Sequence, residues 1–317
     1  MKLRKHNKEK FGISYQGSKT KVIDQIAPVF PRAKHFYDLF GGGFSVTHYM
    51  MKYRSKDYET FHFNEIRPGI CDLIKNAIDG KYSFDVFKPE WISRERFHAE
   101  KDTDPYIKII WSFGNNGKGY IFGEDIENKK RSMHQAVVFN EFDSWFVETF
   151  GFSKWPESLS ITGRRLLLKK HYCRQRIDLQ QLQKLERLQK LERLEQLQQL
   201  QQLQQLERLQ QLERLSFTSK DYRDIQIEEN SVVYCDIPYM GTAEYDSTFN
   251  HNEFFDWADA QRNPVFISEY QINDPRFFLI RKIKTKSTFS GGVASDATEK
   301  VYCNKVAIER IKKGSGL

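Results

Sequence analysis

The sequence predicts an α/β protein built on a largely parallel sheet that an inserted segment interrupts. Three observations carry this. Short apolar runs of strand length and composition occur at FYDLF (36–40), TFHFNE (60–65), SVVYCD (231–236) and PVFISE (264–269). Helical spacing follows the first two, in FSVTHYMMKY and ICDLIKNAI, which gives the strand, turn, helix, strand opening of a parallel sheet. The pattern then lapses over about 76–216 and resumes, so two halves of one sheet flank an insert.

The 317 residues are 39% hydrophobic and include 25 Phe and 15 Tyr, enough to bury a core and to argue against wholesale disorder. No run approaches 18 apolar residues, and the basic start MKLRKHNKEK lacks the apolar run of a secretory signal. Cys71, Cys173, Cys235 and Cys303 are scattered, and the eight His show no close ligand spacing. The expectation is a reduced, cytoplasmic protein without disulfides and without a metal. The net charge of +8 favours polyanionic partners without identifying one.

In chain order, residues 1–10 carry five Lys or Arg and read as a basic arm. The run 36–40 reads as a strand that meets the turn Gly41-Gly42-Gly43 and then a helix. The second strand ends in Glu65. From 76 to 177 aromatic and basic residues interleave, with glycines clustered in FGNNGKGYIFG (113–123). The stretch 158–177 holds Arg164, Arg165, Lys169, Lys170, Arg174 and Arg176 and no acid. It reads either as a solvated surface or as a face contacting phosphates.

Leucine then occupies every third position from Leu179 to Leu215, thirteen times, with Gln, Glu, Lys and Arg between. This is not a heptad. On an α-helix a step of three winds leucines around the surface, whereas on a 3₁₀-helix it aligns them. Composition favours α, so propensity and periodicity conflict. The leucines need cover, from the domain or from another chain, which makes the repeat a candidate for self-association. It reads as an insertion rather than the seat of chemistry. After the third and fourth strand-like runs, KVYCNKVAIER (300–310) suits an antiparallel pair at a sheet edge.

Four features are able to carry chemistry. Asp236-Ile237-Pro238-Tyr239 closes a buried strand, where open α/β sheets bind ligands. A carboxylate and a backbone carbonyl there can accept hydrogen bonds from an exocyclic amino group while an aromatic ring stacks on its base. The alternative is a plain strand-end turn. Phe40-Gly41-Gly42-Gly43 lets backbone approach a ligand, or merely turns tightly. Glu65 can accept from ribose hydroxyls, or face solvent. Tyr15-Gln16-Gly17-Ser18-Lys19 precedes a helix, SKTKVIDQIA, and by itself is also an ordinary loop.

The order YQGSK, DLFGGG, NE, basic insert, YCDIPY resembles the Dam-like, alpha-group DNA adenine N6-methyltransferases. The resemblance covers about 11–75 and 217–305, including PVFISEY (264–270) and STFSGGVASDATEKVYCN (287–304). It implies a Rossmann-like methyltransferase sheet with an inserted DNA target-recognition domain; the Leu-x-x repeat lies outside the resemblance and is expected, from its composition, as a helical insertion. The parts would be catalytic over 1–75 and 217–317, recognition over 76–177 and repeat over 178–216.

By the same resemblance, S-adenosylmethionine is the cofactor, lined by Tyr15, Gly17, Lys19, Asp38, Phe40, Gly41, Gly43, Glu65, Asp221 and Asp236. Asp236, Pro238 and Tyr239 are the catalytic group, and Ile237 departs from the family's Asp-Pro-Pro-Tyr. The partner is double-stranded DNA, held by Arg164, Arg165, Lys169, Lys170, Arg174 and Arg176, and a cognate restriction enzyme is a candidate partner. Direct methyl transfer to adenine N6 of a flipped base needs neither a metal nor a covalent nucleophile. Two alternatives stand beside it: an amino methyltransferase acting on cytosine N4 or on RNA, and a non-catalytic DNA-binding relative.

Overall fold

The computed structural model describes residues 9–156, 159–177, 194–240, 249–287 and 295–314; the side chains of 171–177, 285–287, 295–297 and 314 lie outside that description. The described residues fall into two compact units. The first draws on Met1–Ile13, Gly17–Ile74 and Arg208–Leu317, and the second on Ser14–Gln16 and Lys75–Glu207. No helix among the described residues is long and apolar enough to cross a membrane.

The first unit carries a seven-stranded sheet. Its strands are β1 (His35–Asp38), β2 (Thr60–Asn64), β3 (Leu215–Thr218), β4 (Ser231–Asp236), β5 (Val265–Glu269), β6 (Phe278–Ser287) and β7 (Ser295–Cys303). They lie in the order β3-β2-β1-β4-β5-β7-β6. The first five run parallel, and β7 is antiparallel to both neighbours, β5 and β6. This mixed sheet fits a Rossmann-like methyltransferase. The order reverses between β1 and β4, so their C-terminal ends flank the crevice where such sheets bind ligands.

Alternation along the strands builds two cores. Phe36, Phe61, Phe63, Tyr234 and Phe266 point to one face, where Phe30 and Phe44 join them. Tyr37, Val233, Cys235, Val265 and Ile267 point to the other and meet Phe254, Phe255 and Ala258 of the helix His251–Asp259. Both faces are covered, which is why these strands read as near-continuous apolar runs. Cys235 and Cys303 are buried free thiols, and Cys71 is buried with its Sγ 3.2 Å from the Thr218 carbonyl.

Two expectations need correction. The run KVYCNKVAIER does belong to an antiparallel pair at the sheet edge, β7 with the edge strand β6, but its strand ends at Cys303. Lys305–Gly314 is a helix. Asn304 makes the switch: its Oδ1 accepts from Val265 N and Ala307 N, and its Nδ2 donates to the carbonyls of Ala258 and Asn263. A fully buried amide thus caps the helix and ties it to β5. The segment SKTKVIDQIA forms a 3₁₀ turn, Lys19–Lys21, and one short α-turn, Ile23–Ile26, followed by a further 3₁₀ turn that contains Pro28.

The second unit is helical. Its helices open on side-chain caps: Ser93 before Arg94–Glu100, Asp104 with Pro105 before Pro105–Ile110, and Asp143 before Ser144–Phe150. Met133, Val137, Phe146, Phe150, Trp155 and Leu168 form a core that Leu194 and Leu197 of the repeat enter. The described part of the repeat settles the conflict between propensity and periodicity: Glu195–Leu206 is an α-helix. Leu194, Leu197, Leu200, Leu203 and Leu206 are all at most 2% exposed.

A step of three in an α-helix spreads those five leucines over most of its circumference, so the helix is enclosed rather than one-sided. The glutamines between them bond inward. Gln196 Nε2 meets His134 Nδ1, Gln201 Oε1 accepts from Arg165, Gln204 Nε2 donates to the Tyr82 carbonyl, and Gln202 accepts from Ser14. Over 194–206 the leucines are therefore covered within the unit and offer no stripe to another chain. Repeat residues 178–193 lie outside the described residues, and Leu215 already belongs to β3.

Candidate active site

The site collects at the C-terminal ends of β1, β2, β4 and β5. β1 ends in Asp38, which is 1% exposed. Its Oδ2 accepts from Thr47 Oγ1 at 2.7 Å and from Thr47 N at 3.3 Å, at the start of the helix Ser45–Tyr53. Its other oxygen, Oδ1, is buried with no hydrogen-bond partner. Burial pushes this carboxyl up to about 7, with the Asp236 and Glu65 carboxylates adding to the rise and Thr47 opposing it.

The turn after β1 requires its glycines. A Cβ on Gly41 would stand 2.1 Å from the Phe63 ring, and Gly42 has φ of +50°. Gly42 N donates to Glu65 Oε2 at 2.8 Å, while Glu65 Oε1 accepts from Arg67 N at 3.0 Å. Glu65 is thus buried and aimed at the turn, and burial raises its pKa. Phe40 packs at 5.5–5.7 Å against Tyr222, Phe249 and Phe254.

β4 ends in Asp236. Lys19 Nζ lies 2.8 Å from its Oδ1, 3.8 Å from Glu299 Oε1 and 5.0 Å from the centre of the Tyr239 ring. The Tyr239 hydroxyl donates to Glu299 Oε1 at 2.6 Å. Burial and Glu299 raise Asp236, to about 6, against the pull of Lys19. Pro238 O lies 2.7 Å from His251 Nε2, and Glu269 at the end of β5 accepts from Met240 N and Tyr270 N. Burial, with Asp236 and Glu299 nearby, raises Glu269 to about 7. Ile237, the departure from the family pattern, is 2% exposed inside the core with Phe254 and Val265. An apolar side chain there fills core while Asp236, Pro238 and Tyr239 face the crevice.

The sheet therefore brings Lys19, Asp38, Phe40, Gly41, Glu65, Asp236, Pro238 and Tyr239 to one end of the first unit. Gly17, at φ +79°, accepts from Lys19 Nζ through its carbonyl; Tyr15 belongs to the second unit. The Gly43 carbonyl accepts from Ile13 N. Asp221 caps the turn Tyr222–Asp224 and is chelated by Arg223, whose hydrogen bonds hold its pKa low. The preceding Lys220 is pinned to the strand ends by the buried Asn64.

On the helix Ile161–Ile177 the basic residues divide. Arg164 donates to the Leu159 and Val137 carbonyls and Arg165 to Gln201, whereas Lys169 and Lys170 are exposed. The side chains of Arg174 and Arg176 lie outside the described residues.

Sequence reading missed Thr47, Asn64, His251, Glu269 and Glu299. Only Glu269, the acid closing PVFISE, carried a signal of the kind that singled out Glu65. Together Asp38, Glu65, Asp236, Glu269 and Glu299 bring five carboxylates to this part of the first unit, with Lys19 paired to Asp236 and 3.8 Å from Glu299, a setting that favours cationic ligands. The orphaned Asp38 oxygen, the glycine turn and the Phe40 wall fit a cofactor with an amino-acid end and a ribose. A family model for the D12 class N6 adenine-specific DNA methyltransferases matches residues 15–286. A comparison with curated proteins found no match.

Proposed function

The chain belongs to the D12 class of N6 adenine-specific DNA methyltransferases and methylates adenine N6 in DNA; on that premise we propose how its own residues do so. Adenine in DNA as substrate sets aside the cytosine-N4 and RNA alternatives. The observation that carries the reading is Asp236 at the end of β4, paired with Lys19, which also lies 3.8 Å from Glu299. S-adenosylmethionine, when bound, supplies a methyl group on a cationic sulfonium. Asp38 would accept from its ammonium through the free Oδ1, Glu65 from its ribose hydroxyls, and the turn Phe40–Gly43 would lie along it. Gly17, Lys19 and Asp221 complete the proposed lining.

The adenine amino group is a poor nucleophile because its lone pair is delocalised into the ring. Asp236 and the Pro238 carbonyl would accept its two hydrogens, which favours a tetrahedral nitrogen and stabilises the positive charge that grows on it. The His251 contact fixes that carbonyl. Tyr239, held by Glu299, would stack on the flipped base. Once the N–C bond has formed, the surplus proton on N6 passes to Asp236, whose raised pKa suits it as acceptor. Lys19, which now occupies Asp236 Oδ1, must yield to the incoming base.

Target recognition is assigned to the second unit, supported by its exposed Lys169 and Lys170 on an acid-free helix. The test is methylation of mixed-sequence duplex DNA with labelled cofactor, followed by nucleoside analysis. N6-methyladenine that disappears in Asp236→Ala is the expected result. Transfer that survives the substitution would remove Asp236 from the mechanism.

A further inference from the structure

We propose that His35, His62 and Glu228 form a binding site for one divalent transition-metal ion of the zinc class. The site lies at the opposite end of β1 from Asp38, about 10 Å along the strand. Ligand spacing along the chain does not reveal it, because 27 positions separate the two histidines. Strand pairing removes that separation. His35 lies beside Thr60 and Tyr37 beside His62, so all four side chains share one face of the sheet. Glu228, in the segment before β4, reaches the same face, where the Tyr37 hydroxyl donates to its Oε1 at 3.4 Å.

One ligand atom from each of the three residues lies within 4.8 Å of the others. His35 Nε2 is 3.4 Å from Glu228 Oε2, and His62 Nε2 is 4.0 Å from Oε1. Two donors on one tetrahedral zinc ion stand about 3.4 Å apart, so only small side-chain movements are needed. The remaining ring nitrogens are already engaged. His35 Nδ1 lies 2.6 Å from Thr60 Oγ1, and His62 Nδ1 lies 2.8 Å from Ser216 Oγ. Metal-bound histidines are oriented by just such a contact on the nitrogen that does not bind. The Tyr37 ring stacks on His62 at 4.1 Å and 8°, which fixes its plane.

The protons balance. Without metal, the contacts fit one proton order, Ser216 to His62 Nδ1, His62 Nε2 to Thr60 and Thr60 to His35 Nδ1, with His35 Nε2 protonated and facing Glu228 at 3.4 Å. Binding moves each imidazole proton from Nε2 to Nδ1, so Ser216 and Thr60 turn from donors into acceptors. Two Nε2 atoms and one carboxylate oxygen then hold the ion, water completes its coordination, and no net proton is released from the rings. The ion would clamp β1, β2 and the approach to β4.

The test uses the full chain, stripped with a chelator and titrated with zinc chloride by calorimetry and by thermal melting. Expected are one ion per chain and a melting temperature that rises with zinc. Glu228→Ala changes an exposed side chain and so preserves the fold. It and His62→Ala should weaken binding by at least the about 10–100-fold that follows loss of an orienting partner, and abolish the melting shift. Wild-type protein that binds no zinc would overturn the proposal. Binding of undiminished affinity in both variants would also overturn it, by moving the ion to other ligands such as the cysteines.

Discussion

The Lys19 ammonium stands 2.8 Å from Asp236 Oδ1, with both side chains largely buried. This cation offsets a crowd of carboxylates, and its pull is what restrains the rise of Asp236. An opposite charge at such range lowers a carboxyl by about 1–3 pH units. In Lys19→Met the acidic limb of the pH–rate profile should therefore move up by that order. A profile that superimposes on the wild type would show that Asp236 does not titrate during turnover.

Asp38 makes stability depend on pH in the cofactor-free protein. Its folded-state value of about 7 lies above the ordinary 3.8, so the folded state holds the proton more tightly. The stabilisation is fully present below about pH 4 and is lost as pH rises through about 7. The effect is at most about 4 kcal/mol. Glu269 and Asp236 are raised too and act in the same direction. Urea midpoints should thus fall from pH 5 to pH 8, and fall less in Asp38→Asn. An unchanged slope in that variant would refute the buried-carboxyl account.

Gly41→Ala should damage the turn without touching a charged group. The new methyl meets a Phe63 ring that Phe44 and Phe217 already hold at 5.1 and 5.6 Å. Overpacking of this kind costs about 1–3 kcal/mol. A lower melting temperature together with weaker cofactor binding is expected; an unaltered melting curve would mean that the turn relaxes freely.

The basic residues of Ile161–Ile177 should separate into two kinds. Lys169→Ala and Lys170→Ala are expected to weaken DNA binding on every sequence and to reduce the salt slope by about 1 each. Arg164→Ala strands the Val137 and Leu159 carbonyls, which costs about 1–3 kcal/mol of stability and leaves the slope alone. Filter binding across a salt series, beside thermal melts, distinguishes them.

Much of the sheet was legible because β1, β2, β4 and β5 are buried on both faces and so write themselves as apolar runs. The end of β7 was not, because the residue that converts strand to helix, Asn304, acts through carbonyls 41 and 46 positions away. Glu65 and Asp236 stood out as acids closing strands, whereas Asp38, inside the run 36–40, was named by the resemblance alone. Glu299 sits mid-strand on β7 and reaches Tyr239 only through the fold. The helical state of the repeat was hidden for a related reason: periodicity reports one-sided burial, and Glu195–Leu206 is buried nearly all round.

That enclosed helix has an unusual symmetry. From Leu197 to Leu206 each turn of sequence is Leu-Gln-Gln, so a shift of three residues puts leucine where leucine was and glutamine where glutamine was. Every slot in the surrounding core receives the same kind of side chain after the shift. Replication slippage that gains or drops one such triplet would then leave the packing intact, and the protein interior would be blind to an allele that changes its length.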